Sequence, residues 1–211
     1  MRLGIFGGSF DPPHHGHLLL GECCREACRL DQVWFLPTAV PPHKQDKELT
    51  PAEARIEMLQ LAIAGNPAFS VSSYETERGG VNYTIDTLAH FRQEDPDGEL
   101  FFLLGADMLH DLPNWRQAAK VCELATPVVV SRPGTGRLDF DALAPIATAQ
   151  QIDTIRRHQV EMPQIEISST EIRHRVGRQS SIRYRTPRSV EKYIETHGLY
   201  RGEIGTTDEH G

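Results

Sequence analysis

The strongest constraint on this chain sits at its start. Residues 3–6 form a short apolar run, which ends in Gly7-Gly8 and is followed by Ser9-Phe10-Asp11-Pro12-Pro13-His14-His15-Gly16-His17. A run this short and this apolar reads as a strand. Two adjacent glycines let the backbone turn tightly or lie against a ligand, and Pro12-Pro13 stiffens what comes next. The apolar pattern then resumes at helical spacing over residues 18–30, so the chain opens with a strand, a glycine turn and a helix.

The same alternation continues. Residues 33–36 predict a second strand, closed by Pro37. Thr50-Pro51-Ala52-Glu53 has the form of a capping box with Pro at the first helical position, and Ile56, Leu59 and Ile63 extend it as one stripe. Residues 69–73 alternate weakly. Residues 84–94 predict a helix with Ile85, Leu88 and Phe91 inward, while 100–104 and 126–130 are continuous apolar runs typical of strands buried on both faces. Beyond Arg132-Pro133-Gly134 the chain turns more helical and polar. A short strand is expected at 165–167, a helix at 168–176, and a last helix opened by Thr186-Pro187 and closed by Gly198. This order predicts an α/β fold of the Rossmann-like, doubly wound kind, with a mainly parallel sheet and a helical C-terminal portion. No repeat, low-complexity tract or linker interrupts it. Residues 1–200 therefore read as one domain and 201–211 as a flexible tail.

Composition narrows the function. Twenty-two Lys and Arg against 29 Asp and Glu give a formal charge of −7, which argues against a broad nucleic-acid-binding face but not against a locally basic pocket. No apolar run reaches the ~18–20 residues of a membrane span, and the N-terminus lacks the pattern of a secretory signal. Four cysteines, Cys23, Cys24, Cys28 and Cys122, suggest no disulfide framework, so a reducing cytoplasmic setting is expected.

In open α/β sheets ligands collect at the carboxyl ends of strands, which puts the first turn under scrutiny. Gly16 falls where the first helix begins, so N–H groups there face an incoming anion. His14 and His17 are three apart and can point the same way. Two other readings stand beside this one: a polar surface loop, or a metal site completed by Cys23 or Cys24. The chain holds neither G-x-x-x-x-G-K-[ST] nor G-x-G-x-x-G, so neither a P-loop nor an ordinary dinucleotide turn is present.

Gly8-Ser9-Phe10-Asp11-Pro12 with His14-His15-Gly16-His17 resembles the GxFDPxHxGH signature of the nucleotidylyltransferase superfamily. Ile167-Ser168-Ser169-Thr170-Glu171-Ile172-Arg173 is similar to its ISSTxIR element. Pro41-Pro42-His43-Lys44, the segment from Glu77 to Leu88, Gly105-Ala106-Asp107, Trp115 and Arg132-Pro133-Gly134 extend the likeness, from residue 3 to residue 200, to the bacterial nicotinate-nucleotide adenylyltransferases. Ser9 stands where Thr is more usual and Asn82 where Ser is; both keep a small polar group.

The resemblance implies adenylyl transfer from ATP to nicotinate mononucleotide, giving deamido-NAD and pyrophosphate. It implies Mg²⁺ carried mainly on the ATP phosphates, with no protein metal site. ATP and the mononucleotide would be the partners, with no nucleic acid and no membrane; a homo-oligomer remains open. His14, His17, Lys44 and Arg173 would be catalytic, the histidines through charge-assisted bonds to phosphate. Gly8, Ser9, Phe10, Gly105, Asp107, Ser168, Ser169 and Thr170 would bind ATP. His43, Tyr83, Thr84, Trp115 and Arg132 would bind the mononucleotide, with Trp115 stacking on the ring and the Tyr83 and Thr84 N–H groups receiving its carboxylate. Each residue also has a plainer reading: Lys44 as a solvated loop lysine, Trp115 as core, Asp107 and the Ser168–Thr170 hydroxyls as helix caps, the cysteines as small buried thiols. Two other classes remain open, a metal-dependent hydrolase and a nucleotide-binding sensor without turnover.

Overall fold

A computed structural model of the chain describes residues 1–39, 49–134, 136 and 138–202. Six strands form one wholly parallel sheet: β1 Arg2–Gly8, β2 Gln32–Pro37, β3 Phe69–Val71, β4 Glu99–Gly105, β5 Thr126–Ser131 and β6 Val160–Glu161, in the spatial order β3-β2-β1-β4-β5-β6. This is the doubly wound order, and its switch point lies between β1 and β4. The two strands pair only from Arg2↔Glu99 to Ile5↔Phe102. Past that point β1 stays with β2 as far as Gly8↔Pro37, and β4 stays with β5 as far as Gly105↔Val130. A crevice therefore opens between Gly7-Gly8 and Gly105.

The helices are α1 His15–Ala27, α2 Ala52–Ile63, α3 Tyr74–Arg78, α4 Thr84–Glu94, α5 Ala118–Leu124, α6 Ala149–Arg157, α7 Ser169–Gly177 and α8 Arg188–His197. The sheet is buried on both faces, as its continuous apolar strands require. Leu3, Ile5, Leu100, Phe102 and Leu104 pack on one side with Ile85, Leu88 and Phe91 of α4. Val33, Phe35, Phe101, Leu103 and Val128 pack on the other with Leu20 and Cys24 of α1. A third cluster, of Met58, Ile172, Ile182, Val190, Ile194 and Tyr200, joins α2, α7 and α8.

Three local expectations need correction. Residues 165–167 form no strand; the last strand is Val160–Glu161, which takes the place beside β5 through Val130↔Val160. Ile165 and Ile167 alternate like a strand only because each sends its side chain to a different core cluster. The Thr50 capping box is also absent: α2 begins at Ala52 with Pro51 at the N-cap and no side-chain cap bond, and the Thr50 carbonyl instead accepts from Arg55 Nε at 2.8 Å. The first helix starts at His15 rather than at residue 18. Gly198 closes α8 in the left-handed conformation at φ 64°, as expected of a C-terminal glycine. Arg201 and Gly202 are the last described residues, so most of the expected tail, residues 203–211, lies outside them.

Candidate active site

The histidine loop lies at the carboxyl end of β1, beside the switch-point crevice. A Cβ on Gly7 would enter open space, so this end of the strand leaves room for a ligand. Gly16 is held to glycine by a close approach: a Cβ there would lie 3.0 Å from His14 Nδ1. The His14 and His17 rings stack with centroids 3.6 Å apart. The His14 N–H donates to His17 Nδ1 at 3.3 Å, which leaves the His17 proton on Nε2. His14 Nδ1 is buried and unpartnered.

Burial, with Arg132 and His15 adding positive potential, lowers the His14 pKa to about 4. Burial, His14 and Arg132 hold His17 well below the usual range. Both rings are therefore neutral at pH 7 in this structure, so the charge in a bond to phosphate would come from the phosphate. The same influence brings Arg132, which follows β5, within electrostatic reach of both rings.

The late helix meets this loop directly. Ser169 Oγ donates to the Pro12 carbonyl at 2.8 Å, and Arg173 Nη1 donates to the Asp11 carbonyl at 2.8 Å. Two motifs about 160 residues apart in the chain are thus joined by hydrogen bonds. Ser168 is the N-cap of α7, its hydroxyl accepting from the Glu171 N–H at 3.1 Å. The Ser169 proton is spent on Pro12, whereas Thr170 is exposed on the first turn. Thr170 and the opening N–H groups of α7 are accordingly the ones placed to meet an anion.

At the other lip of the crevice, Gly105 ends β4, and a Cβ there would collide with the Asp107 carboxylate, which is exposed. Ser9 is half-buried, but Phe10 is 1% exposed and packs edge-on against Phe6 and His17. Only the Phe10 backbone, left-handed at φ 48°, can meet a ligand. Tyr83 caps α4 and Thr84 begins it. Trp115 is half-buried, edge-on to Phe102 at 5.7 Å, with its Nε1–H on Asp111 Oδ2 at 3.1 Å. Tyr83 and Trp115 pack on the same core cluster, and Arg116 lies 4.7 Å over the Tyr83 ring. Asn82 Oδ1 accepts from the Ala39 N–H at 2.8 Å, tying the end of β2 to the approach to α4. His43 and Lys44 lie outside the described residues.

Of the two cysteines beside the histidines, Cys24 is fully buried in the core and Cys23 is half-buried, and among the described residues no group of three or more His, Cys, Asp or Glu gathers as a metal site. An apolar groove of about 530 Å³ between α1 and the end of α2 shares only His15 with the histidine loop. Among the residues that grip the loop, Arg55 and Tyr200 were not legible in sequence. Arg55, which is 2% exposed, donates from Nη1 to the Ser9 carbonyl at 2.9 Å. Tyr200 donates its hydroxyl to Asp11 Oδ1 at 2.7 Å. A lone arginine on a helix and a tyrosine near the C-terminus carry no signal of such a role.

A parallel sheet in this order, with a glycine turn, paired histidines and a hydroxyl-rich helix start at its switch point, defines a nucleotidyltransferase. The chain belongs to the cytidylyltransferase-like family, whose profile matches residues 5–175, and within it to the nicotinate-nucleotide adenylyltransferases. A Bacillus subtilis protein named nicotinate-nucleotide adenylyltransferase is 40% identical over 199 residues, covering 94% of this chain and 98% of its own. A Geobacillus thermodenitrificans protein named "Probable nicotinate-nucleotide adenylyltransferase" is 43% identical over 207 residues, covering 98% and 89%. Among solved structures, Plasmodium falciparum nicotinic acid mononucleotide adenylyltransferase complexed with NaAD has the same fold. Its TM-score is 0.76 at 20% identity, over 97% of this chain and 99% of that one.

Proposed function

We propose that this chain transfers the adenylyl group of ATP to nicotinate mononucleotide, producing deamido-NAD and pyrophosphate for NAD synthesis in the cytoplasm. The observation that carries the reading is the pair of bonds from Ser169 and Arg173 to the Pro12 and Asp11 carbonyls, which makes one site of two phosphate-type motifs. The names of relatives at 40–46% identity support the choice of acceptor. Residues 1–200 act as one unit in this proposal.

The attacking atom is a phosphate oxygen of the mononucleotide, already anionic near neutral pH. It forms a bond to the α-phosphorus of ATP while the bond from that phosphorus to the bridging oxygen of the β-phosphate breaks. Pyrophosphate leaves with the electron pair. No protein nucleophile or general base is required, so the protein's task is to align two anions and stabilise the charge that moves to the leaving group. His17 offers its Nε2–H, and His14 its own ring donor, to the α-phosphate and the oxygens beyond it. Thr170, the first N–H groups of α7 and Arg173 take the β/γ end, and Lys44 supplies a further cation for the phosphates. Gly8, Ser9, the Phe10 backbone, Gly105 and Asp107 receive the nucleoside, with Ser168 and Ser169 holding the helix start in place. Trp115 supplies the ring face for the pyridine, Tyr83 and Thr84 the N–H groups for its carboxylate, and His43 and Arg132 the surroundings of the mononucleotide phosphate.

The side-chain donors assigned here to the polyphosphate are imidazole, hydroxyl and cationic groups. They suit phosphate oxygens, so Mg²⁺ fits as an ion carried on the ATP phosphates. When bound it neutralises charge on the polyphosphate. The scheme involves no nucleic acid or membrane; among the described residues no helix is long and apolar enough to cross a bilayer. A homo-oligomer is compatible with the scheme.

The test is a pyrophosphate-release assay with ATP, Mg²⁺ and a panel of phosphorylated acceptors. Nicotinate mononucleotide is expected to outrun its amide analogue, because an amide sets its own N–H donors against buried protein donors at a cost of about 1–3 kcal/mol each. Equal kcat/KM for acid and amide would remove the carboxylate site. His17→Ala is expected to abolish turnover with circular dichroism unchanged.

A further inference from the structure

The histidine loop cannot hold its own shape by backbone bonding. Pro12 and Pro13 have no N–H, and four of the loop's carbonyls are held instead by side chains from distant parts of the chain. Arg55 of α2 donates to Ser9 O at 2.9 Å, Arg173 of α7 to Asp11 O at 2.8 Å, Ser169 of α7 to Pro12 O at 2.8 Å, and Thr186 to Pro13 O at 2.7 Å. At the loop's far end the His15 N–H donates to Arg185 O at 3.1 Å.

The Asp11 carboxylate is turned away from the crevice. It is 3% exposed, with Oδ1 accepting from Tyr200 Oη at 2.7 Å and Oδ2 from the Thr50 N–H at 3.2 Å. Arg55 ties the Thr50 carbonyl to Ser9 and stands close enough for Asp11 to act on its charge. A buried carboxylate costs stability unless it is fully hydrogen-bonded. Its partners here come from the loop before α2 and from a residue 189 positions downstream, while Tyr200 packs its ring on α2, α7 and α8. Asp11 lies three residues before His14 in the same loop, which gives this carboxylate a short route to the imidazole pair.

We propose that Tyr200, Asp11 and Arg55 form a positioning clamp that sets the His14–His17 geometry for phosphate transfer, so that the far C-terminal residue of the fold tunes the rate of a step it never touches. All three are positioning residues. The idea rests on the adenylyl-transfer reading for its kinetic arm and on geometry alone for its spectroscopic arm.

The experiment compares Tyr200→Phe with Tyr193→Phe. Both remove one hydroxyl from the C-terminal part of the chain, but Tyr193 bonds Glu57 Oε2 at 2.7 Å on the exposed side of α2, away from the loop. A reacting group displaced by about 1 Å costs about 10²-fold in rate. Tyr200→Phe is therefore expected to lose about tenfold or more in kcat, with KM for the mononucleotide held within about threefold because that subsite lies on other elements. The imidazole resonances of His14 and His17 are expected to shift in the isolated protein. Tyr193→Phe should change neither. Should Tyr200→Phe fail to fold, Arg55→Lys gives the same two readings. A kcat within twofold of wild type, an equal loss in both tyrosine variants, or unmoved imidazole resonances overturns the clamp. A wild-type protein that releases no pyrophosphate overturns the functional reading instead, and the resonances still decide the clamp.

Discussion

At the scale of single residues, the informative group is His14. A histidine whose folded pKa lies at about 4, below the ordinary value near 6.5, is one the unfolded chain protonates first. The unfolded state then binds more protons between those values, so stability rises with pH across that window and is lost as pH falls through it. Acidification from pH 7 to pH 5 should cost about 2 kcal/mol through His14 alone. His14→Asn should flatten that part of the stability curve, and urea titrations at the two pH values check it. An equal slope in the variant would show that the ring is not held neutral. The motif residues were legible because a glycine pair, a proline pair and spaced histidines each impose a distinct backbone or chemical demand. Arg55 was not: nothing local tells an arginine on an amphipathic helix that one of its partners is the Ser9 carbonyl, in a loop 46 residues earlier. Phe10 shows the reverse case, a motif position whose side chain serves the core.

Among the elements, the strands were the most readable. Runs such as Leu100–Leu104 are buried on both faces and need no alternation, and the helix over residues 84–94 matched in extent and inward face. Helix starts were read less well, since a Thr-Pro pair followed by an acid resembles a cap whether or not the hydroxyl is used. A true one exists at α6: Thr148 Oγ1 accepts from the Gln151 N–H at 3.3 Å, and Gln151 Oε1 accepts from the Thr148 N–H at 2.8 Å. Thr148→Ala should cost about 1 kcal/mol in thermal or urea unfolding and leave kcat unchanged, since α6 packs at β5 away from the crevice. The last strand escaped notice because two residues at a sheet edge are too few to show a period.

For the whole molecule, the readable part was the topology class; the unread part was which distant segments close on the first loop. All four cysteines are free, and Cys24, Cys28 and Cys122 are buried, with Cys23 half-buried. Burial pushes each thiol up, Cys122 to about 11, so none is a ready thiolate at neutral pH. A thiol reagent at pH 7.5 should modify no more than one cysteine in the native protein and four after denaturation. Faster reaction at several sites would show that the sheet face carrying α1 opens readily.

The long-range bonds to residues 9–13 also set an order of events during synthesis. A ribosome makes the histidine-bearing segment well before several of the groups that grip it, with Thr186 and Tyr200 following their loop partners by 173 and 189 positions. A nascent chain arrested after α7 would carry every strand of its sheet and still lack a competent centre. Competence would wait for Tyr200, so activity would begin only after the sheet is complete.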